Sequence, residues 1–188
     1  MAAPRFRPHD PQEFLKLLSW IRGARSLLEI GSRFGYPLVD FAHALAGKGR
    51  VVSVDLPDAE GWNDELSKHA IIHLRKNIQA LKEEGYDAHL IEADSHLAET
   101  VEKVRALGPY DVVFIDGDHS YEGVLQDWTN YGEMGKKIIF HDIRKPEPPE
   151  DPGVEVWKLW SKIKSFSPPV EEFLAPGSKM GIGKIEHP

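Results

Sequence analysis

Apolar positions along the chain alternate between helical spacing and short unbroken runs, and this alternation predicts the order of elements. From Asp10 to Arg22, Phe14, Leu17, Leu18 and Ile21 recur at helical spacing behind Pro11, which predicts a leading helix over about 10–22. Leu27-Leu28-Glu29-Ile30 is an apolar run entering a tight turn with Gly31 and Gly35. Tyr36-Pro37 then open a helix with Leu38, Phe41, Ala42 and Leu45 on one face, stopped by Gly47 and Gly49. Arg50–Asp55 predicts a second strand, and the stretch 56–64, with Pro57, Gly61 and Trp62, a loop. A helix over about 64–84 follows, with Ile71, Leu74, Ile78 and Leu81 on one face. A strand over about 88–93 then meets Asp94-Ser95, expected as a helix cap ahead of Leu97, Val101, Val104 and Leu107.

Tyr110–Asp116 is the clearest buried strand, and its helix carries Tyr121, Val124, Leu125 and Trp128. Lys137–Asp142 predicts strand five, and 144–153 a Pro- and Glu-rich loop. Val156, Trp157, Trp160 and Ile163 predict a last helix with both tryptophans in its core, and 170–186 two strands around Pro176-Gly177. Strands alternating with helices in this way predict an α/β fold, Rossmann-like and doubly wound. The expected sheet is mostly parallel and seven-stranded, with helices on both faces and a C-terminal antiparallel strand pair.

Composition narrows the function. With 188 residues, 41% of them hydrophobic, the chain suits one domain over 1–188. A formal net charge of −7 argues against a nucleic-acid surface, so small molecules are the expected partners. Cysteine is absent, which removes thiolate chemistry and agrees with a cytoplasmic protein. No apolar stretch approaches a membrane span, so no membrane partner is expected. The leading helix and the terminal strand pair are the candidate surfaces for a homo-oligomer.

Five successive strands end in polar groups: Glu29, Asp55, Asp94, Asp116 and the pair His141-Asp142. In a parallel doubly wound sheet these ends share one edge, where ligands bind. Asp55 falls 24 positions after Gly31 (55 minus 31), the offset at which an acid at the end of strand two accepts hydrogen bonds from both hydroxyls of a ribose. That offset serves NAD as well as other nucleoside cofactors. His119, near the start of a helix, has an imidazole suited to proton removal near neutral pH; the alternative is a helix-start residue paired with Asp118. His69 and His73, an i, i+4 pair without a third nearby ligand, suit a solvated helix face.

The order of elements resembles the class I S-adenosylmethionine-dependent methyltransferases. More narrowly, Leu28-Glu29-Ile30-Gly31-Ser32, the stretch Ile115-Asp116-Gly117-Asp118-His119-Ser120-Tyr121-Glu122-Gly123-Val124, and Phe140-His141-Asp142 resemble a small-molecule O-methyltransferase group. That group includes macrolide-sugar O-methyltransferases and cephalosporin hydroxylase-like proteins. The resemblance implies a cofactor half over about 25–109 and a metal and substrate half over about 110–188. In the first, Glu29, Gly31, Ser32 and Gly35 would surround the methionine end and ribose side of S-adenosylmethionine, with Asp55 on the ribose. Leu56 would lie against the adenine, which Asp94 and Ser95 would face.

In the second half, Asp116, His141 and Asp142 would hold a divalent cation beside the cofactor, with Asp116 counted as a catalytic and cofactor-binding residue as well. The alternative leaves Asp116 and Asp142 on the metal and His141 as a hydrogen-bonding group on the substrate side. Two carboxylates favour magnesium, and an imidazole admits manganese, iron or zinc. His119 takes the place of a general base. The implied reaction is metal-assisted O-methylation of a small-molecule hydroxyl. Iron-dependent hydroxylation of the cephalosporin type, a non-catalytic scaffold and an NAD-dependent oxidoreductase are the rival expectations.

Overall fold

The computed structural model describes residues 10–57, 69–147, 153–166 and 170–187. Helix α1 (Pro11–Ile21) starts where expected because Asp10 caps it, accepting hydrogen bonds from Gln12 N at 2.8 Å and Glu13 N at 3.3 Å. Strand β1 (Ser26–Ile30), α2 (Tyr36–Ala44), β2 (Arg50–Asp55), α3 (Ala70–Glu83), β3 (Asp87–Glu92) and α4 (Ala98–Leu107) build the first half. Strand β4 (Tyr110–Ile115), α5 (Tyr121–Tyr131), β5 (Gly135–His141), α6 (Val156–Phe166), β6 (Val170–Phe173) and β7 (Ile182–Glu186) complete the chain.

These strands form one sheet in the order β3-β2-β1-β4-β5-β7-β6. Strands β1 to β5 pair in parallel, and β7 runs antiparallel to both β5 and β6. The expected fold class is therefore borne out. Order reverses beside β1, whose neighbours are β2 on one side and β4 on the other, and a crevice opens there at the carboxyl ends.

Both faces of the sheet are covered, which is why its strands read as continuous apolar runs. Leu28, Val52, Val113 and Ile138 point to one face, against Val101 and Val104 of α4, Val124 of α5 and Trp160 of α6. Leu27, Val51, Val112 and Ile139 point to the other, against Phe14 and Leu17 of α1, Phe41 of α2 and Leu74 of α3. Phe41 links three elements, stacking on Phe14 at 5.9 Å and meeting Phe114 edge-on at 5.5 Å. Truncating such a buried ring costs roughly 3–5 kcal/mol.

Two expectations change. Asp94-Ser95 does not cap α4, whose N-cap is Leu97 with no side-chain cap bond. The chain first makes a separate turn there, and Asp94 Oδ1 satisfies His96 N at 2.8 Å. Trp160 is core, at 1% exposure, but Trp157 is half-buried with Lys145 Nζ 5.1 Å from its ring, so the helix offers the core one tryptophan. His69 and His73 are both exposed, as expected of a solvated helix face, and the His73 ring lies 5.9 Å from Phe34 and 6.2 Å from Tyr36. The start expected for α3 near residue 64, and Trp62, lie outside the described residues. Among the described residues no helix is long and apolar enough to cross a membrane.

Candidate active site

A cleft of about 780 Å³ lies at the carboxyl edge of the sheet. Its central wall is the turn after β1. Gly31 adopts φ +85°, and a Cβ there would stand 2.2 Å from the Asp116 carbonyl oxygen. Glycine is required because the turns after β1 and β4 cross at this point. Gly35, at φ +71°, is the N-cap of α2, and a Cβ on it would meet Leu74 Cδ1 at 2.5 Å. Its backbone lets α3 pack close, and Gly35 does not line the cleft.

Glu29 faces this cleft while only 1% exposed. Ser32 Oγ donates to Glu29 Oε2, and Ser53 Oγ donates to Ser32 Oγ at 2.7 Å. Burial pushes the Glu29 carboxyl up to about 8, opposed by the Ser32 hydrogen bond and reinforced by the Asp116 and Asp55 charges. At the end of β2, Asp55 Oδ2 accepts from the backbone N–H of Arg33. Burial raises the Asp55 pKa too, although backbone donors from Arg33, Leu56 and Ser32 and the Arg33 guanidinium pull against it. Leu56, 42% exposed, stands at the rim, and Asp94 and Ser95 line the cleft beyond it.

At the other end, the turns after β4 and β5 bring four titratable groups together. His141 Nδ1 lies 3.1 Å from Asp116 Oδ1 and 3.4 Å from Asp142 Oδ2. His119 Nε2 lies 3.4 Å from Asp116 Oδ1 and 3.5 Å from Asp142 Oδ2. Each imidazole thus faces both carboxylates. Burial disfavours the imidazolium of either histidine, but the carboxylates outweigh it: the His119 pKa is raised, and that of His141 lies well above the ordinary value. His119 does not pair with Asp118, whose Oδ1 instead accepts from Ser120 N at 2.8 Å. Ser120 then caps α5 through Gly123 N, so the turn before α5 aims His119 back at the strand ends. Asp142 adopts φ +58°, which bends the chain out of β5 and turns its carboxylate beside His141.

Asp116, His119 and Asp142 offer one donor atom each within 4.8 Å of one another. Two ligands about 2.1 Å from a cation stand roughly 3.0 Å apart in an octahedron and roughly 3.4 Å in a tetrahedron. The carboxylate–imidazole spacings match that range, and the donor types suit a divalent ion.

Sequence reasoning missed several lining residues. Arg33, Phe34 and Tyr36 line the cleft from the β1 turn, with the Phe34 and Tyr36 rings stacked at 5.7 Å. Their position inside the glycine turn was the available signal. Met180 comes from the β6–β7 loop, which Glu13 of α1 holds by accepting from Ala175 N at 3.2 Å and Gly181 N at 3.1 Å. No local pattern announces that contact.

Comparison with known proteins agrees with this geometry. A family model described as a methyltransferase domain matches residues 28–143, more than half of the chain. The chain is 28% identical over 137 residues to tapetum-specific methyltransferase 1 of Arabidopsis thaliana, covering 71% of this chain and 53% of that protein. It is also 28% identical over 106 residues to a catechol O-methyltransferase of Niastella koreensis, covering 56% and 43% respectively. The chain thus spans about half the length of these curated relatives.

Among solved structures, the O-methyltransferase from Bacillus cereus in complex with SAH aligns with a TM-score of 0.64 at 24% identity, covering 99% of this chain and 86% of that one. The O-methyltransferase TomG from Streptomyces achromogenes, in complex with SAM, aligns with a TM-score of 0.62 at 18% identity, covering 97% and 82%. These likenesses establish the shared fold. With its glycine turn, its acid-terminated strands and a family match that runs from β1 through the turn after β5, the chain belongs to the methyltransferase domain family.

Proposed function

We propose that this protein is an S-adenosylmethionine-dependent O-methyltransferase that acts with a divalent cation on a small-molecule hydroxyl. The observation that carries the reading is the pairing, in one cleft, of a ribose-type acid at Asp55 with the group Asp116, His119, His141 and Asp142. When bound, the cofactor supplies an electrophilic methyl group and the cation a Lewis acid that lowers the pKa of the acceptor hydroxyl.

Asp55 would accept from the ribose hydroxyls, with Leu56 on the adenine ring and Asp94 and Ser95 at its edge. Gly31 and Ser32 would border the methionine end, beside Glu29, whose carboxyl burial pushes up to about 8. Asp116, Asp142 and His141 would hold the cation, magnesium by its carboxylates or manganese, iron or zinc by its imidazole. His119 has a side chain that keeps 30% exposure against 5% for His141, so it is the imidazole better placed to meet an acceptor and take its proton. The chain's main contribution is to align acceptor oxygen and methyl carbon in a site walled by Phe34, Tyr36 and Met180.

Calorimetric titration of metal-stripped protein tests the reading. Binding of S-adenosylmethionine but not NAD is expected, together with a metal heat that disappears in Asp116→Asn. Binding of neither cofactor would sink it in favour of a scaffold. Two imidazoles facing two carboxylates also suit ferrous iron, which keeps one rival open: hydroxylation. Oxygen uptake with an iron-loaded sample and no methylated product would select that rival.

A further inference from the structure

Behind the β3 end of the cleft lies a buried carboxylate that the methyl-transfer chemistry leaves unused. Asp127 projects from α5 and is 0% exposed. Its Oδ1 accepts from Ser95 Oγ at 2.7 Å, while Oδ2 has no hydrogen-bond partner among the described residues. A Cβ on Gly117, which lines the cleft, would stand 3.1 Å from that Oδ2, so Asp127 sits directly behind the cleft floor. His96 Nε2 lies 3.3 Å from Oδ1 without hydrogen-bond alignment.

The rest of α5 grips the same turn. Tyr131 Oη donates to the Ser95 carbonyl at 2.5 Å, and Gln126 Nε2 donates to the His96 carbonyl at 3.2 Å. With the backbone held from one helix, the Ser95 hydroxyl stays turned toward Asp127. A serine hydroxyl has one proton and two lone pairs. Here the proton is committed to Asp127, and a lone pair is left for whatever occupies the cleft beside Ser95.

We propose that Asp127 is a specificity-determining positioning residue. By taking the only proton of Ser95, it makes that hydroxyl an acceptor toward the nucleobase and so selects a 6-amino purine over a 6-oxo purine. The inference rests on the cofactor reading above, because it requires the base at the β3 end with the ribose on Asp55. An exocyclic amine donates into the Ser95 lone pair, whereas an oxo group sets lone pair against lone pair. A mismatch of that kind is worth on the order of tenfold or more in affinity.

The test compares S-adenosylhomocysteine with S-inosylhomocysteine, its 6-oxo counterpart, by calorimetry. The wild-type protein is expected to bind the adenosyl compound at least about tenfold more tightly. In Asp127→Ala the Ser95 proton is released, Ser95 can donate to the oxo group, and the ratio is expected to fall several-fold. The accompanying change at N1 of the base is common to both proteins and cancels. In Asp127→Asn, whose carbonyl oxygen can still accept from Ser95, the wild-type ratio is expected to return.

Equal weakening of both ligands in Asp127→Ala, with the ratio unchanged, would overturn the proposal and leave Asp127 a structural residue. Loss of the ratio in Asp127→Asn would overturn it as well. Should Asp127→Ala fail to fold, Ser95→Ala decides: a reduced ratio supports the proposal, and an unchanged one refutes it. Failure of the wild-type protein to bind either compound would instead refute the cofactor reading, and this inference with it.

Discussion

The two ends of the cleft handle buried charge in opposite ways. At the β1 and β2 ends the acids are bound into the protein's own hydrogen bonds: Glu29 accepts from Ser32, whose hydroxyl in turn accepts from Ser53, and Asp55 accepts from the Arg33 backbone. At the β4 and β5 ends two carboxylates and two imidazoles compensate one another across 3.1–3.5 Å. The first arrangement is a fixed mould, complete before a ligand arrives. In the second, the carboxylates pull both histidine pKa values upward, and the same carboxylates could instead be balanced by a divalent cation. One end is thereby suited to shape recognition and the other to an exchange of cations.

Breaking the second end should have the largest effect. Asp116→Asn is expected to lower methyl transfer on the order of 10³-fold while changing S-adenosylmethionine affinity by less than about threefold, because the lost charge acts on the reacting hydroxyl. Equal losses in turnover and cofactor binding would move Asp116 to the cofactor side.

The two histidines separate next. His119→Ala should lower kcat by about 10²-fold with near-native metal affinity, as removal of a proton acceptor does. His141→Ala should instead weaken the cation by about tenfold or more, read by titration with manganese. A metal loss confined to His119→Ala would exchange the two roles.

At the first end, Asp55→Ala is expected to weaken S-adenosylmethionine roughly 10- to 100-fold, the loss of charge-assisted hydrogen bonds to a diol, with the metal heat unchanged.

The smallest effect concerns stability. The Glu29 carboxyl is raised to about 8 in the fold, so between about pH 4.5 and 8 the unfolded chain gives up a proton that the folded chain keeps. Stability of the ligand-free protein should therefore fall as pH rises through that window. Glu29→Gln should flatten the slope, read as Tm against pH between about pH 5 and 8. An identical slope in the variant would show that Glu29 keeps its charge in the fold.

Much of this was legible in the sequence because it is local. The run Leu27–Ile30, the helix behind Pro11 and the strand Tyr110–Ile115 each state their own period, and alternating periods specify a parallel sheet. The acids at the strand ends were legible too, since parallel order alone sends Asp55, Asp116 and Asp142 to one edge. Gly31 was readable as a turn glycine, but the reason for it was not: it clears the Asp116 carbonyl, in the turn after β4, more than eighty positions away.

Other features depend wholly on the tertiary structure. Asp94 read as a helix cap because capping residues and turn residues share one chemistry, and only the placement of α4 separates them. His119 was legible as a candidate base near a helix start, yet only the turn before α5 sets it against the same two carboxylates as His141. Glu13 and Asp127 carried no signal at all, because a buried carboxylate on an amphipathic helix shows its purpose only through its partners. The sequence by itself determined the fold class, the strand order's polar edge and the family, because periodicity and turn chemistry act between near neighbours. The tertiary structure alone decided which groups meet, because a hydrogen bond or shared charge between distant positions depends on distances of a few ångströms that no local pattern encodes.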